Sequence, residues 1–289
     1  MILYAVLAML VSLAAWPYLW EAPLARFVEN FRHMASNPQI LPVLYNGEVL
    51  PSNNLPAGYF PTMLAITLTE PVWPLFLLGL GVIGLRWRRR SLERRTLLLV
   101  LAWFAIPLGY VLWFRPPMYD GIRHFLFVLP PVFIVVGFAF QELIQLLHRA
   151  WLAVLMAILV LLPGIVGIWQ THPYEYAYFN QFIGGMSGAY RRFETDFWIT
   201  CYKDLLPQVD VHTSSGTLYA LRQPANARLY APPGLEVKRY EPDADETLSG
   251  DLLLLPTRSN VDLAHHPEAP VIYQVEKNGA VLCVIKQIP

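Results

Sequence analysis

The sequence contains few charged residues. Lysine, arginine, aspartate and glutamate make up only 15% of its 289 residues, whereas a soluble domain carries about 25%. The deficit is concentrated in residues 1–170, where long apolar runs alternate with short polar stretches. This composition predicts a membrane-embedded region followed by a water-soluble one.

Other absences narrow the possible functions. The net charge is zero, so no global field attracts nucleic acid and no nucleic-acid partner is expected. Cys201 and Cys283 allow one disulfide bridge or none, which excludes a disulfide-based scaffold. The sequence also has no phosphate-binding glycine-rich loop, no nucleophile elbow and no zinc-protease helix.

Apolar runs long enough to cross a bilayer recur along the first part of the chain, at about 20 residues each. Residues 86–95 contain six arginines in ten positions after the second run, and such clusters mark cytoplasmic turns. The sequence therefore predicts an all-α membrane bundle of about five transmembrane helices, with the N-terminus in the cytoplasm. The predicted spans are 1–20, 70–87, 96–114, 125–147 and 150–169.

In this topology, the loops 21–69 and 115–124 both face the outside of the cell membrane. Within the first loop, residues 26–33 have their apolar side chains on one helical face, which is typical of a helix on the membrane surface. Residues 59–68 are apolar enough to dip back into the membrane beside the bundle.

The composition changes after residue 170, so three regions are expected: a transmembrane region 1–170, an interfacial aromatic segment 171–203 and an extracytoplasmic domain 204–289. The last is expected to be a small α/β or mainly β domain, with a hairpin turn at Lys277-Asn278-Gly279. Its predicted strands are 217–221, 227–230, 236–240, 251–255, 271–275 and 281–285.

The loop 115–124 carries the principal candidate site. An arginine at the membrane boundary, here Arg123, can hold a phosphate in a forked, charge-assisted contact. His124 and Tyr119 could add hydrogen bonds, and Asp120, three residues before Arg123, could orient it. The alternative is an arginine that reaches up to lipid head groups, with Asp120 as a simple ion-pair partner.

A second cationic group lies in the 21–69 loop. Arg32 and His33 could provide a further contact to a lipid phosphate on the same side of the membrane. The alternative is that they form the polar face of an interfacial helix.

Two acidic residues, Glu194 and Asp196, are separated by one position. In a strand both would point to the same face, where a carboxylate pair could act as a general base or bind a metal weakly. The alternative is a solvated turn, or ion pairs with Arg191 and Arg192.

Aromatic and acidic side chains also suit a sugar ligand in the segment that follows the last span. Tyr174, Glu175 and Tyr178 could contact a pyranose, although such residues also form interfacial belts. The pair His265-His266 lacks further ligands at metal-binding spacing, so no metal site is expected.

Several segments together resemble bacterial membrane glycosyltransferases of the GT-C type, in the superfamily of protein O-mannosyltransferases (glycosyltransferase family 39) and aminoarabinose transferases. Residues 119–131 (YDGIRHFLFVLPP) resemble the outer loop and following span of these proteins. Further segments, in the 21–69 loop, after the last span and at the end of the chain, also resemble them in the expected order. These segments are 54–61 (NLPAGYFP), 172–185 (HPYEYAYFNQFIGG), 194–198 (ETDFW), 251–258 (DLLLLPTR) and 278–282 (NGAVL).

The resemblance implies transfer of a sugar from a polyprenyl-phosphate carrier to an acceptor on the outer face of the membrane. The donor is a lipid-linked substrate, and no cofactor is implied. Arg123 would hold the phosphate and stabilise the charge that develops on it as the sugar leaves.

The same resemblance leaves the catalytic residue unknown. In these enzymes the catalytic acid lies in the first outer loop near the N-terminus, and no acidic residue here matches that position. The chain is therefore expected to be the C-terminal portion of an enzyme, with a separate chain as a potential source of the N-terminal half. The alternative is a non-catalytic membrane protein whose outer domain binds a glycan or a protein.

Overall fold

The computed structural model describes residues 2–36, 39–88, 94–210, 216–242 and 251–289. The chain forms two compact units, Met1–Leu41 and Pro42–Pro289. Much of the arginine-rich turn, residues 89–93, lies outside the described residues.

The first unit contains two helices, α1 (Ile2–Ala15) and α2 (Pro23–Ser36), joined through a short 3-10 turn at Pro17–Leu19. The predicted span 1–20 is not one helix, because the α-helix ends at Ala15, two residues before Pro17. With 14 residues, α1 is about 21 Å long at 1.5 Å per residue, which is less than the bilayer core of about 30 Å.

Helix α2 covers the predicted amphipathic segment 26–33. Its apolar side chains are exposed, at 55% for Phe27 and 66% for Phe31. Tyr18 and Glu21 lie beside Arg26, whose guanidinium bonds Glu21 and Glu29. The structure thus contains the predicted helix, and its location at a membrane surface stays a prediction.

The second unit begins with a hairpin that sequence reasoning missed. Strands β1 (Pro42–Tyr45) and β2 (Glu48–Pro51) pair antiparallel around Asn46 and Gly47, which both have positive φ, at 51° and 91°. An Asn-Gly pair is the strongest short-range hairpin signal, but the surrounding prolines led to a prediction of irregular turns.

Three long helices follow in the bundle. Among the described residues, Arg94–Phe114, Arg123–Leu147 and Trp151–Thr171 are long and apolar enough to cross a membrane. A short helix, α3 (Tyr59–Thr67), meets α4 (Val72–Arg88) at a bend of 107°, and the pair is either a broken span or a re-entrant loop. The structure therefore supports three spans, or four, rather than the five predicted. The remaining bundle helices are α5 (Arg94–Phe114), α6 (Leu129–Leu147) and α7 (Ala150–Thr171), and a 3-10 stretch (Arg123–Val128) precedes α6.

Helix α6 packs against α4, α5 and α7. Its closest approach to α4 is at Gly79, where an added Cβ would overlap with the backbone carbonyl of Val135. At one end of the pair, Arg86 and Glu142 form an ion pair. The opposite end, where α4 and α6 begin, carries the loop 115–124.

The segment 171–203 joins the bundle to the sheet. Phe179 and Phe193 are buried in the core of the bundle, whereas Tyr174 and Tyr202 are buried in the core of the sheet domain. The side-chain amide of Asn180 donates hydrogen bonds to two backbone carbonyls of the α3–α4 bend, at 2.8 and 2.7 Å. The elements of this segment and its continuation are 3-10 turns at Glu175–Ala177, Gln181–Ile183 and Leu206–Gln208, and the short helices α8 (Gly185–Ala189) and α9 (Tyr202–Leu205).

The C-terminal part folds around a five-stranded mixed sheet in the order β4-β3-β5-β7-β6. The strands β4, β3 and β5 are parallel, whereas β7 pairs antiparallel with both β5 and β6. The central strand β5 is buried along its whole length, which explains its continuous run of leucines. The elements are β3 (Thr217–Ala220), α10 (Pro224–Tyr230), β4 (Glu236–Arg239), β5 (Leu252–Pro256), α11 (Val261–Ala264), β6 (Val271–Lys277) and β7 (Ala280–Gln287).

One predicted strand in this domain is wrong. Residues 227–230 belong to helix α10, which begins at Pro224 and links the parallel strands β3 and β4. Parallel neighbours need a crossover, usually a helix, and proline is favoured in the first helical turn. The predicted hairpin is present, with positive φ at Asn278 and Gly279.

The two cysteines form a disulfide. Cys201 and Cys283 are 82 residues apart, and both are fully buried. The bridge fixes the end of the aromatic segment to β7, so of the two alternatives for the cysteine pair the structure contains the bridge.

Candidate functional site

A cavity of about 410 Å³ lies where the loop 115–124 meets α3 and the segment after α7. Most of its wall is apolar, and four charged side chains also reach it. An apolar cavity with a few convergent polar groups is the usual form of a small-molecule site. The charged residues are Asp120, Arg123, Glu175 and Glu194.

Arg123 is held in place at this cavity by three neighbours. Its Nη2 lies 2.8 Å from Asp120 Oδ2, and its guanidinium carbon is 5.1 Å from the ring centre of Tyr119 and 5.7 Å from that of Phe197. Its Nε is buried and has no hydrogen-bond partner among the described residues. The side chain is therefore oriented but retains capacity to donate.

Asp120 connects Arg123 to the sheet domain. Its second oxygen accepts a hydrogen bond of 2.7 Å from Nη2 of Arg258, which follows strand β5. Burial raises the pKa of Asp120 above its ordinary value, against the opposing influence of Arg258 and Arg123. The predicted pair of Asp120 and Arg123 is present, and the carboxylate is shared between two arginines.

Sequence reasoning missed Arg258, because it lies 138 residues from its partner. The available signal was its position just after a fully apolar strand, since polar residues at the carboxyl ends of parallel strands often meet at one edge. Arg222, which follows β3, lies near Asp120 and Arg258. Burial, followed by the positive charge of Arg258, lowers the pKa of Arg222.

Of the other predicted phosphate contacts, Tyr119 and His124 lie near Arg123, whereas Arg32 and His33 lie on helix α2. The rings of Tyr119 and His124 meet edge to face, with centres 4.8 Å apart, so Tyr119 supports both Arg123 and His124. Arg32 and His33 are exposed on α2, which belongs to the first unit, Met1–Leu41. A shared phosphate site for these groups stays a prediction.

Glu194 is buried, and both of its carboxylate oxygens accept hydrogen bonds. Its Oε1 accepts hydrogen bonds from the Leu44 amide at 2.9 Å and from the Ser259 hydroxyl at 3.1 Å, and its Oε2 accepts one from the Ser259 amide at 3.0 Å. Burial raises its pKa, and these amides work in the opposite direction. Glu194 thus joins β1 to the turn after β5.

Asp196 belongs to a different network. It accepts hydrogen bonds from the amides of Ile199, Thr200 and Cys201 and from the hydroxyl of Tyr176. The segment around it is a turn and not a strand, so the two carboxylates do not form the predicted pair on one face.

The alternative reading of these carboxylates is also wrong. Both are buried, so neither lies in a solvated turn. Arg191 pairs with Asp262 through two hydrogen bonds, and Arg192 bonds the side chain of Asn46. The described residues contain no group of three or more His, Cys, Asp or Glu side chains that could hold a metal ion.

Of the predicted sugar-contact residues, Glu175 and Tyr178 both line the Arg123 cavity, whereas Tyr174 does not. The hydroxyl of Tyr174 donates to Asp204, and its ring is buried in the sheet core. Glu175 lines the cavity and forms a contact of 2.6 Å with Nδ1 of His172. Sequence reasoning did not single out Tyr176 and Trp198, which also line the cavity.

No protein-family model matches the chain, and no curated protein or solved structure is significantly similar to it. The functional interpretation therefore rests on the geometry of the Arg123 cavity and on the resemblance of the sequence segments that surround it. All six of those segments lie in the second unit, and four of them reach the cavity wall, through Tyr59, Arg123, Glu175 and Trp198.

Proposed function

We propose that the chain belongs to an integral membrane glycosyltransferase. It transfers a sugar from a polyprenyl-phosphate donor to an acceptor on the outer face of the membrane. The observation that carries the proposal is Arg123, an oriented arginine with a buried, unpartnered Nε. It lies at an apolar-walled cavity at one end of helices that are long enough to cross a membrane.

Two features support an extracytoplasmic location of this cavity. The arginine cluster at 86–95 follows the far end of α4, and such clusters remain in the cytoplasm. The disulfide between Cys201 and Cys283 belongs to the domain beside the cavity, and disulfides persist in oxidising compartments outside the cytoplasm. Both features favour an extracytoplasmic C-terminal domain, and a cytoplasmic N-terminus additionally requires helix α1 to cross the membrane.

The chemistry assigned to the chain is recognition of the donor phosphate. A phosphate oxygen beside Arg123 would receive charge-assisted hydrogen bonds, and these strengthen as negative charge develops when the sugar leaves. Asp120 and Arg258 act as positioning residues, because they fix the guanidinium without filling the cavity. The proposal assigns no catalytic base, since Glu194 and Asp196 are engaged in structural hydrogen bonds.

The test is binding of decaprenyl phosphate to the full chain in lipid nanodiscs. We expect Arg123→Ala to weaken binding about tenfold or more, which corresponds to loss of a charge-assisted hydrogen bond. Arg123→Lys should retain part of the affinity, because it keeps the charge and loses the forked geometry. Arg192→Ala is the matched control, since Arg192 is exposed and bonds Asn46. Unchanged binding by Arg123→Ala would refute the proposal.

A second candidate is a non-catalytic membrane protein with a glycan- or protein-binding outer domain. It is favoured because Glu194 and Asp196, the two candidates for a catalytic base, are both held in structural hydrogen bonds. A transfer assay with a polyprenyl-phosphate sugar distinguishes the two candidates. Turnover that depends on Arg123 supports the transferase, and binding without turnover in the complete assembly supports the second candidate.

A further inference from the structure

A cavity of about 370 Å³, here called the Trp198–Tyr230 cavity, lies at the surface of the sheet domain. Its wall is formed by residues 173–174, by the turn 198–200 and by helices α9 and α10. Its volume is within the range of about 300–1,000 Å³ that is usual for small-molecule sites. Trp198 also lines the Arg123 cavity, so the two cavities are neighbours at this residue.

Trp198 is held in place where the two cavities meet. Its ring centre lies 5.5 Å from that of Tyr176 and 5.6 Å from that of Phe197, and both of these residues line the Arg123 cavity. The residue is nevertheless 53% exposed. The indole is therefore supported on one side and accessible to a ligand on another.

The turn that carries Trp198 is strained. Ile199 has a φ of 58°, a conformation that is an outlier for a β-branched residue. It is maintained by the carboxylate of Asp196, which accepts hydrogen bonds from the amides of Ile199 and Thr200 at 2.7 and 3.2 Å. Strained backbone of this kind is concentrated at ligand sites, and here it brings Trp198, Ile199 and Thr200 together in the cavity wall.

The wall combines aromatic surface with exposed polar groups. Tyr230 on α10 is 41% exposed and adds a second aromatic ring to that of Trp198. Lys203, Asp204 and Asn226 are exposed in the same wall. A ligand in this cavity therefore meets apolar ring surface, an amide, a carboxylate and an ammonium group.

Lys203 and Asp204 have capacity for further hydrogen bonds. Oδ2 of Asp204 accepts a hydrogen bond from the hydroxyl of Tyr174, but a carboxylate has about four acceptor positions. The ammonium of Lys203 has no hydrogen-bond or ion-pair partner in the part of the chain that the structure describes. Since the two side chains carry opposite charges, this cavity has no preference for an anion, in contrast to the site at Arg123.

These features match a neutral saccharide. A sugar ring presents apolar C–H faces to aromatic side chains and hydroxyl groups to carboxylate, amide and ammonium groups. A polypeptide matches less well, because an extended peptide is typically held by the main chain of a sheet edge. The described wall of this cavity contains no strand residue.

We propose that the Trp198–Tyr230 cavity binds a neutral saccharide that is part of the acceptor. The inference rests on the proposed function, which leaves the acceptor open, and it names the chemical class of that acceptor. The saccharide contacts the exposed rings of Trp198 and Tyr230, and Trp198 lies between it and the donor site at Arg123.

The test is saturation-transfer difference NMR on the full chain in nanodiscs, with maltotriose, mannotriose and chitotriose as separate probes. We expect at least one of these trisaccharides to bind the wild-type chain. Tyr230→Ala should weaken that binding about tenfold through loss of the aromatic contact. Tyr230→Phe keeps the ring and should remain within about twofold of wild type. Failure of all these probes to bind would overturn the inference.

Phe182→Ala is the matched control for Tyr230→Ala. Phe182 is also an exposed aromatic residue, at 64%, but it lies outside the wall of this cavity. The variant should bind the trisaccharide as wild type does. An equal loss in both variants would show that the effect does not come from this cavity and would contradict the inference.

Binding of decaprenyl phosphate separates this inference from the proposed function. If Tyr230→Ala binds the trisaccharide normally while Arg123→Ala loses decaprenyl phosphate, the saccharide site is wrong and the phosphate site stands. If Tyr230→Ala loses the trisaccharide while Arg123→Ala binds decaprenyl phosphate normally, the saccharide site stands and its assignment to an acceptor fails with the phosphate site.

Two further measurements address the identity and the location of the ligand. If saturating decaprenyl phosphate displaces the trisaccharide, the sugar occupies the Arg123 cavity and the inference is overturned. If an acetylated Ser-Gly hexapeptide binds in a Tyr230-dependent manner and the trisaccharides do not, the cavity holds a polypeptide and the saccharide assignment is wrong.

Crosslinking on the unaltered chain requires no substitution. Maltotriose with a diazirine at its reducing end should label α10 near Tyr230, as mapped by mass spectrometry. Labelling confined to the loop 115–124 would contradict the proposed location.

Discussion

Asp196 accepts hydrogen bonds from three consecutive backbone amides, at 2.7 Å from Ile199 and at 3.2 Å from Thr200 and Cys201. The hydroxyl of Tyr176, whose ring lines the Arg123 cavity, donates to the same carboxylate. This one side chain therefore fixes both the turn that leads into the disulfide and one wall of the cavity.

Removal of this carboxylate should destabilise the protein. Asp196→Ala leaves buried amides without an acceptor, so we expect a loss of about 3 kcal/mol in the free energy of unfolding. The measurement is chemical denaturation in detergent, followed by near-ultraviolet circular dichroism. Glu276→Gln, an exposed position in the same domain, should be neutral. A normal unfolding curve for Asp196→Ala would contradict this account.

Sequence reasoning found part of the candidate site at the residue scale. Asp120 and Arg123 are three residues apart, so their ion pair followed from local spacing. Arg258 and Ser259 were not predicted as partners of Asp120 and Glu194, because those contacts depend on how the turn after β5 meets the bundle. Local spacing identifies neighbours within a turn, but a long-range contact requires the tertiary fold.

At the scale of elements, the pairing of α4 with α6 depends on Gly79, which has no side chain. Gly79 lets the two backbones approach until a Cβ would meet the carbonyl of Val135. Small residues at such contacts are typical of membrane helices, where packing replaces the hydrophobic effect as the source of association.

A larger residue at this contact should separate the helices. We expect Gly79→Leu to destabilise the bundle by about 1–3 kcal/mol, the usual effect of overpacking, and to lower the thermal midpoint in detergent. Gly81→Leu on the same helix is the matched control, because an added Cβ at Gly81 meets nothing within 4 Å. Equal midpoints for the two variants would show that the close approach at Gly79 contributes nothing.

The elements predicted correctly had a local signature, although the Asn46-Gly47 hairpin, which also has one, was missed. The hairpin at Asn278-Gly279 and the continuous apolar strand β5 followed from turn chemistry and from composition. Residues 227–230 read as a strand, but the topology requires a crossover helix between the parallel strands β3 and β4. The pairing order of a sheet decides that element, and no local pattern encodes it.

At the scale of the whole molecule, the two ends of the bundle differ in chemistry. One end carries arginines at the close of α4, and the other carries the cavity and the disulfide domain. If the Cys201–Cys283 bridge closes outside the cytoplasm, the number of membrane crossings between the arginine cluster and Cys201 must be odd. Among the described residues, three helices meet the length requirement, Arg94–Phe114, Arg123–Leu147 and Trp151–Thr171, and they satisfy this parity.

The disulfide provides a test at this scale. With its cysteines 82 positions apart, the chain-entropy model gives a stabilisation of about 4.5 kcal/mol. We expect the double variant Cys201→Ser/Cys283→Ser to unfold at lower denaturant concentration, and the wild-type chain to react with maleimide only after reduction. Alkaline phosphatase fused after residue 289 should be active in cells. Inactive fusions and free thiols in the membrane-inserted protein would reverse the proposed topology.

The number of spans was the least predictable property of the whole chain. Hydrophobicity alone predicted a span at residues 1–20. The helix there ends at Ala15, because the chain turns at Pro17. Composition shows where a chain is apolar. The length of each helix and the bend of 107° between α3 and α4 depend on prolines and on tertiary contacts.

The hydrogen bonds of Asp120 to Arg258 and of Glu194 to Ser259 have a consequence for protein engineering. Two adjacent residues of the sheet domain complete the electrostatic environment of two carboxylates at the mouth of the bundle. A chimaera that grafts a foreign outer domain onto this bundle would leave Asp120 with Arg123 alone and Glu194 with the Leu44 amide alone. The sheet domain and the bundle are therefore not interchangeable modules, and any exchange must carry Arg258 and Ser259 with it.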